Sequence, residues 1–384
     1  MKQFVSEIEN IQAIAGEIAV LKKNGMDYSI HRGRTAQLID RIHPKKLELV
    51  LSEIIDRTPE AKTFRFVSKN AYLPPFEAGQ YINIFAEIDG VRTSRPYSLS
   101  SSPKQRAYYD ITIARIKTGF VSDYFLDNAI IGDNFESSSP SGEFHYNPVF
   151  HGKNLVFLAG GSGITPFMSM TQDVLNSGLD RKIHLIYGSR TEDSAIFLEE
   201  LKDLSSRHDN FKFTLVISEP SDCYDGETGF ITGECIKKQV RDFDLATFYI
   251  CGPQIMYDFC KRELLNLEVQ NKRIHQEMFG SRQDIQNEAG WPDNLTGKEE
   301  FTISLSDGRT LRGLSGESLL TSLERAGVRA NVCCRSGECS LCRVKLVSGK
   351  VFQPRGVLLR YVDEKYGYIH SCKSFPLSNL EIIL

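Results

Sequence analysis

At 384 residues, with a net charge of -3 and apolar and charged fractions of 41% and 25%, the chain reads as a soluble globular protein of about two to four domains. It has no basic surplus, which argues against nucleic acid or an anionic membrane as partner, and no run nears the roughly 18 apolar residues of a spanning helix. Met1-Lys2-Gln3-Phe4-Val5-Ser6-Glu7 turns acidic before a signal core could form, and the nine cysteines show no paired disulfide framework, so the expected compartment is the cytoplasm.

Residues 1–45 read as a helical arm. Phe4, Ile8, Ile11, Ala15, Ile18 and Leu21 recur at steps of three and four, Ser6 with Glu9 offers a capping box, and Gly25 a stop. A second short helix over 34–42 ends before Pro44. Such a stripe calls for burial, against the protein's own barrel or against a partner or second copy of the chain.

Over 46–149 the pattern changes to short alternating strands, 47–55, 63–67, 81–88 and 110–115, broken by Gly, Pro, Asn and Asp, which predicts an antiparallel barrel or sandwich. Arg95-Pro96-Tyr97-Ser98 combines a fork for phosphate, a ring that can cover a flat ligand and a hydroxyl able to reach a ring nitrogen, although Tyr97 also fits an ordinary strand aromatic. Gly119-Phe120-Val121-Ser122 opens an apolar-periodic segment, either a phosphate cradle or a plain cap. Pro140-Ser141-Gly142-Glu143-Phe144 is a ligand loop or a simple turn.

Residues 150–280 alternate strands and helices, beginning with the apolar strand 155–159, the loop Gly160-Gly161-Ser162-Gly163-Ile164-Thr165-Pro166 and a helix through Asp173. Strand, glycine loop and helix together put a pyrophosphate on free amides, though the string is not G-x-G-x-x-G. Strand-helix pairs at 183–187 and 197–204, 213–217 and 235–243, and 248–251 and 255–267 predict a parallel sheet. Cys251-Gly252-Pro253 closes the last buried strand, where open parallel sheets bind ligands, and Cys251 also fits a packed core thiol.

The polar stretch 281–298, with the only tryptophan, reads as a linker to residues 299–384, where strands 301–305 and 310–313 and a helix 319–326 lead to Cys334-x4-Cys339-x2-Cys342 and a distant Cys372. That is the spacing of a plant-type 2Fe-2S ferredoxin, with small residues Ser336, Gly337 and Ser340 admitting amides to the sulfides. A zinc ribbon would want two short cysteine knuckles and only one exists; inert buried thiols are the other reading. Cys333 lies outside the pattern and reads as a small buried residue.

Taken together, residues from about Leu47 to Leu384 resemble the ferredoxin–NADP reductase superfamily fused to a plant-type ferredoxin, in the domain order of phthalate dioxygenase reductase. The resemblance implies an antiparallel flavin-binding β-barrel, a parallel α/β nucleotide-binding domain and a β-grasp 2Fe-2S domain. It implies catalytic roles for Ser98, Cys251 and Glu277, the last from Glu277-Met278-Phe279, which matches the E-x-aromatic ending of the reductases with Phe in place of Tyr and the chain running on. It implies cofactor contacts from Arg95, Tyr97, Ser98, Gly119, Ser122, Gly160, Gly161, Gly163, Thr165, Pro166, Gly252, Pro253 and Phe279, and cluster ligation by Cys334, Cys339, Cys342 and Cys372. The implied activity is an NADH-dependent reductase passing electrons through flavin and a 2Fe-2S cluster to a protein acceptor; the alternatives are an electron-transfer subunit without independent turnover and a flavin-based redox sensor, for which no segment speaks. Ser218-Glu219-Pro220, in place of Ser-Arg, favours NADH over NADPH against the counter-signal of Arg190. The 140–144 loop favours FAD, and the domain order, shared with an FMN enzyme, favours FMN.

Overall fold

A computed structural model describes residues 11–25, 33–69, 73–116, 119–240, 243–277 and 284–384, with side chains in the first helix from Ile14 onward. The Ser6–Glu9 capping box, the start of the arm's stripe and Phe279 lie outside the described residues. The chain divides into an arm, Met1–Lys45, and a body, Lys46–Leu384.

In the arm, helix α1 (Ile11–Lys23) stops where expected: Gly25 takes φ 78°, a conformation a side chain would strain. Helix α2 (Arg34–Ile42) starts on Gly33 at φ 89° and closes with the His43 amide on the Ile39 carbonyl at 2.7 Å. Ile14, Ile18, Val20, Leu38, Ile39 and Ile42 are exposed, and of the stripe's described side chains Ala15 and Ile18 are exposed and Leu21 is half-buried. A helical period identifies a face but not what covers it.

In the body, β1 (Leu47–Thr58), β2 (Ala61–Ser68), β3 (Tyr81–Ile88), β4 (Val91–Ser98), β5 (Tyr109–Ala114) and β6 (Asn134–Ser137) form an antiparallel sheet in the order β4-β3-β6-β1-β2-β5. A bridge between Leu99 and Ile111 brings its ends together into a barrel. The sequence reading missed β4, because Pro96 and five polar residues (Arg92, Thr93, Ser94, Arg95 and Ser98) disguise it; Pro96 is tolerated because β4 is the edge strand. Inward residues such as Leu49, Phe64, Phe66, Ile82 and Ile111 fill the barrel, and Phe125 of α3 (Val121–Asp127) packs against Phe64 and Phe135 with centroids at 5.4 and 4.9 Å.

The next sheet is parallel, in the order β10-β9-β8-β7-β11-β12, from β7 (Asn154–Gly160), β8 (Lys182–Ser189), β9 (Phe211–Ile217), β10 (Glu227–Thr228), β11 (Ala246–Cys251) and β12 (Ile274–Gln276). Helices α4 (Ile164–Asn176), α5 (Leu198–Arg207), α6 (Gly233–Gln239) and α7 (Gln254–Asn266) connect these strands. Strand order reverses at β7, whose neighbours are β8 and β11, so a crevice opens at the carboxyl ends of β7 and β11. Phe144, from the 140–144 loop, packs on Phe167 and Tyr249 of this unit, with centroids 5.8 and 5.6 Å apart.

The third unit is a mixed sheet, β14-β13-β19-β15-β17, built from β13 (Glu300–Leu305), β14 (Thr310–Leu314), β15 (Arg343–Ser348), β17 (Tyr368–His370) and β19 (Leu380–Ile383). Leu319 and Leu323 of helix α8 (Leu319–Arg325) pack onto it. The stretch read as a linker does more than connect: Ile285 and Trp291 form a small core with Phe352 and Phe375. Among the described residues no helix is long and apolar enough to cross a membrane.

The parallel sheet carries a pH liability. Burial, reinforced by Lys212, lowers His184 to about 4, and its Nε2 lies 2.9 Å from Thr214 Oγ1. An unfolded imidazole titrates near 6.5 (about 6.5 in model peptides), so between these values the unfolded chain binds the extra proton and stability falls as pH falls. His184 alone amounts to about 2 to 3 kcal/mol over that window. The melting temperature should fall from pH 6.5 to 4, less steeply in His184→Gln; equal slopes in thermal melts of the two proteins refute the assignment.

Candidate active site and cluster loop

A cleft of about 450 Å³ lies where the three units meet, lined by Arg95, Tyr97 and Ser98 of β4, Gly119 and Ser122 before and in α3, Gly163, Thr165 and Pro166 at the start of α4, and Cys251 and Gly252 after β11. Thr321 and Arg335 reach it from the third unit. Most of the expected cofactor contacts therefore converge. Gly160, Gly161 and Pro253 are not among its lining residues. A Cβ on Gly160 would sit 2.5 Å from Met256 Sδ and 3.0 Å from Pro253 Cδ, so Gly160 lets the two loops pack, while Gly161 adopts φ 52° and its carbonyl accepts from Tyr187 at 3.1 Å.

At Gly163 backbone approaches backbone: a Cβ there would lie 2.2 Å from the Cys251 carbonyl oxygen and 2.6 Å from Gly252 Cα. β12 pairs Gln276 with Ile250, and the Glu277 amide donates to the Ile250 carbonyl at 3.2 Å, which brings Glu277 beside the end of β11. Tyr257 donates to the Glu277 carbonyl, and the Gly252 amide donates to the Tyr257 hydroxyl at 3.2 Å. The Glu277 side chain hydrogen-bonds Ser98, and its Oε2 is buried without a partner. Burial, with Glu338 nearby, raises its carboxyl far above the usual range, against the pull of Ser98, and burial with Glu277 raises the Cys251 thiol. Ser98, Cys251 and Glu277 thus form one dry group in which burial favours the uncharged carboxyl and thiol. A cleft lined by a guanidinium, a ring and hydroxyls fits a flavin and a nicotinamide.

In the cluster loop Arg335, Gly337 and Ser340 take φ of 55°, 85° and 57°, turning the chain tightly. His370 ties it down, with Nδ1 2.9 Å from the Gly337 carbonyl and Nε2 3.1 Å from Ser340 Oγ. The Cys339 amide donates to Cys334 Sγ at 3.4 Å, as does the Ser336 amide, and Cys342 and Cys372 have their sulfurs 3.2 Å apart. Two pairs of thiols, with amides aimed at sulfur and a buried unpartnered Ser336 hydroxyl, fit a two-iron cluster.

Sequence reasoning missed the residues that seat this loop on the barrel. Cys333 Sγ lies 3.8 Å from the Tyr81 hydroxyl, Asn83 donates to the Val332 carbonyl at 3.3 Å, and Arg335 pairs with Glu324 and reaches Thr93 Oγ1 at 3.3 Å. Partners 231 to 252 residues apart leave no local signal.

Fold and site define a pyridine-nucleotide-dependent flavoprotein reductase carrying its own ferredoxin module. Residues 48–146 match the oxidoreductase FAD-binding domain, 157–262 the oxidoreductase NAD-binding domain and 303–377 the 2Fe-2S iron-sulfur cluster binding domain. The chain belongs to the ferredoxin–NADP reductase superfamily, in the branch with a C-terminal plant-type ferredoxin domain. It is similar to the glycine betaine monooxygenase reductase subunit of Chromohalobacter salexigens, 26% identical over 86% of this chain and 93% of that one. It is also similar to the ferredoxin reductase component of 3-ketosteroid-9-alpha-monooxygenase from Mycobacterium tuberculosis, 29% identical over 87% and 94%. Among solved structures, phthalate dioxygenase reductase, described as a modular structure for electron transfer from pyridine nucleotides to the 2Fe-2S centre, superposes with a TM-score of 0.64 at 28% identity over 88% and 97% of the two chains.

Proposed function

We propose that the chain is the cytoplasmic reductase component of an oxygenase-type system, oxidising NADH and delivering single electrons to a partner protein. The observation that carries this reading is the shared cleft: β4 of the barrel, both loops of the parallel sheet and two residues of the cluster-bearing unit line one space. Relatives named as monooxygenase reductase subunits supply the class of partner.

When bound, the flavin takes up a hydride as an electron pair and releases its electrons singly, and the 2Fe-2S cluster carries one at a time. Arg95 and Ser122 would hold the flavin phosphate, Tyr97 would cover its ring and Ser98 would hydrogen-bond it. Gly163 and Gly252 leave room for the nucleotide backbone, with Thr165 anchored by its bond to the Ser162 carbonyl at 2.8 Å. Glu277 and Cys251, whose burial favours their uncharged forms, would keep fixed charge and water from the place where hydride would pass. Cys334 with Cys339, and Cys342 with Cys372, hold the cluster.

The purified protein should reduce cytochrome c with a kcat/KM for NADH at least about tenfold above that for NADPH, because a carboxylate at position 219, just after β9, would repel a 2′-phosphate. The Glu219 amide donates to the Arg190 carbonyl at 2.8 Å, which places both side chains at the same strand ends. A preference for NADPH overturns the assignment. Mass analysis of the heat-released flavin should give FAD.

The exposed apolar residues of the arm favour a second element, an assembly role. Deleting residues 1–42 should leave flavin content and NADH–ferricyanide turnover within about twofold, since every chemical motif lies beyond Leu47. Oligomeric mass or capture of the partner should change; loss of flavin instead would make the arm a clasp on the barrel.

A further inference from the structure

We infer that Arg335, in the cluster loop beside Cys334, is a second ligand of the flavin phosphate and closes that site from across the boundary between cluster unit and barrel. The inference rests on the cleft being the flavin site.

Arg335 is 5% exposed, an unusual place for a guanidinium, and it lines the cleft that Arg95 also lines. One of its nitrogens bonds Glu324 Oε1 and approaches Thr93 Oγ1 at 3.3 Å and Ser94 Oγ at 3.4 Å. Its Nε is buried and has no partner. Thr93 donates to the other Glu324 oxygen at 3.2 Å and accepts from Arg95 at 2.9 Å. Two guanidiniums thus gather around one carboxylate, leaving an excess positive charge at the wall of the cleft. The strain is visible in Arg95, lowered to about 10 by burial and by Arg335, with Glu324 only partly opposing.

The Arg335–Glu324 ion pair within the cluster unit needs only one arginine for its glutamate. The second cation at the wall of the cleft calls for an anion within it. Arg95 and Ser122 place the flavin phosphate there. Because Arg335 is covalently next to a cluster ligand, filling the phosphate site also draws the cluster loop onto the barrel, and by linkage a seated cluster unit tightens flavin binding.

The test uses the full chain with its cluster, stripped of flavin, titrated with FMN, FAD and riboflavin by flavin fluorescence. Arg335→Gln should weaken FMN and FAD about 10- to 100-fold, the loss of a charge-assisted bond, and leave riboflavin, which has no phosphate, unchanged. Salt should weaken FMN binding to the wild type more than to the variant. Arg335→Lys should lose less than Arg335→Gln, and it decides the matter if the latter does not keep its cluster absorption. Glu324→Gln should bind FMN at least as tightly as the wild type. Equal weakening of riboflavin, unchanged FMN affinity, or a loss in Glu324→Gln matching that in Arg335→Gln would each show that Arg335 only holds the interface. Weakened NAD+ binding with FMN unaffected would reassign its anion to the nucleotide. Equal binding of riboflavin and FMN by the wild type overturns the inference together with the phosphate roles of Arg95 and Ser122, whereas no flavin binding at all overturns the cleft reading beneath them.

Discussion

Cys339→Ser should cut NADH–cytochrome c reduction by at least about a hundredfold while leaving NADH–ferricyanide turnover within about twofold. Serine offers a hydroxyl where a thiolate is needed, and a cluster short of one ligand is lost or badly mis-tuned. Cys339 suits the test because it is the least buried of the four cysteines, and the loop around it is held independently by His370 and by Tyr81 against Cys333. Ferricyanide can take electrons at the cleft, so barrel and parallel sheet should work on without the cluster. If a variant that still holds its flavin loses both activities, the order of the path is wrong.

Gly163→Ala is the second large effect. Gly163 has φ -65°, an ordinary helical value, so alanine costs nothing in backbone conformation. The cost is contact: its Cβ would meet the Cys251 oxygen at 2.2 Å, the Cys251 carbon at 2.4 Å and Gly252 Cα at 2.6 Å, all backbone at the end of a central strand. Overpacking of this kind costs about 1 to 3 kcal/mol, and here it also pushes apart the two loops that flank the crevice. We expect a melting temperature lower by about 3 to 6 °C and a KM for NADH raised at least about tenfold. Gly161→Ala is the control: it has positive φ but nothing within 4 Å of its Cβ, so it should lose about 1 kcal/mol at most and keep its KM. A wild-type KM in Gly163→Ala would refute the close-approach argument.

What could be read in the sequence was whatever is local. The three cysteines of the cluster loop sit within nine residues, and the loop after β7 is bounded by an apolar strand and a helix, so spacing and period sufficed. β3 and α2 fall where alternation and helical period put them. β4 escaped because its paired positions carry polar residues serving the cleft rather than the core. Arg335 escaped for another reason: between two cluster ligands it looks like a solvated loop residue, and only its packing against Thr93, Ser94 and Glu324 shows it to be buried. Arg95 and Tyr97 were recognised through the motif, whereas the carboxylate at hand for Arg95 lies more than two hundred positions away.

Trp291 sets a practical limit on taking the protein apart. Its ring stands 5.2 Å from that of Phe352, edge-on, and its indole donates to the Leu295 carbonyl at 2.8 Å. The aromatic floor under the last strands is therefore laid by residues that precede the first strand of their sheet. A ferredoxin fragment cut at residue 299, where the sheet begins, would turn Phe352 and Phe375 toward water and shed the small core that Ile285 completes. Cutting near residue 284 keeps that core whole, so the excisable electron carrier starts about fifteen residues before its β-structure does.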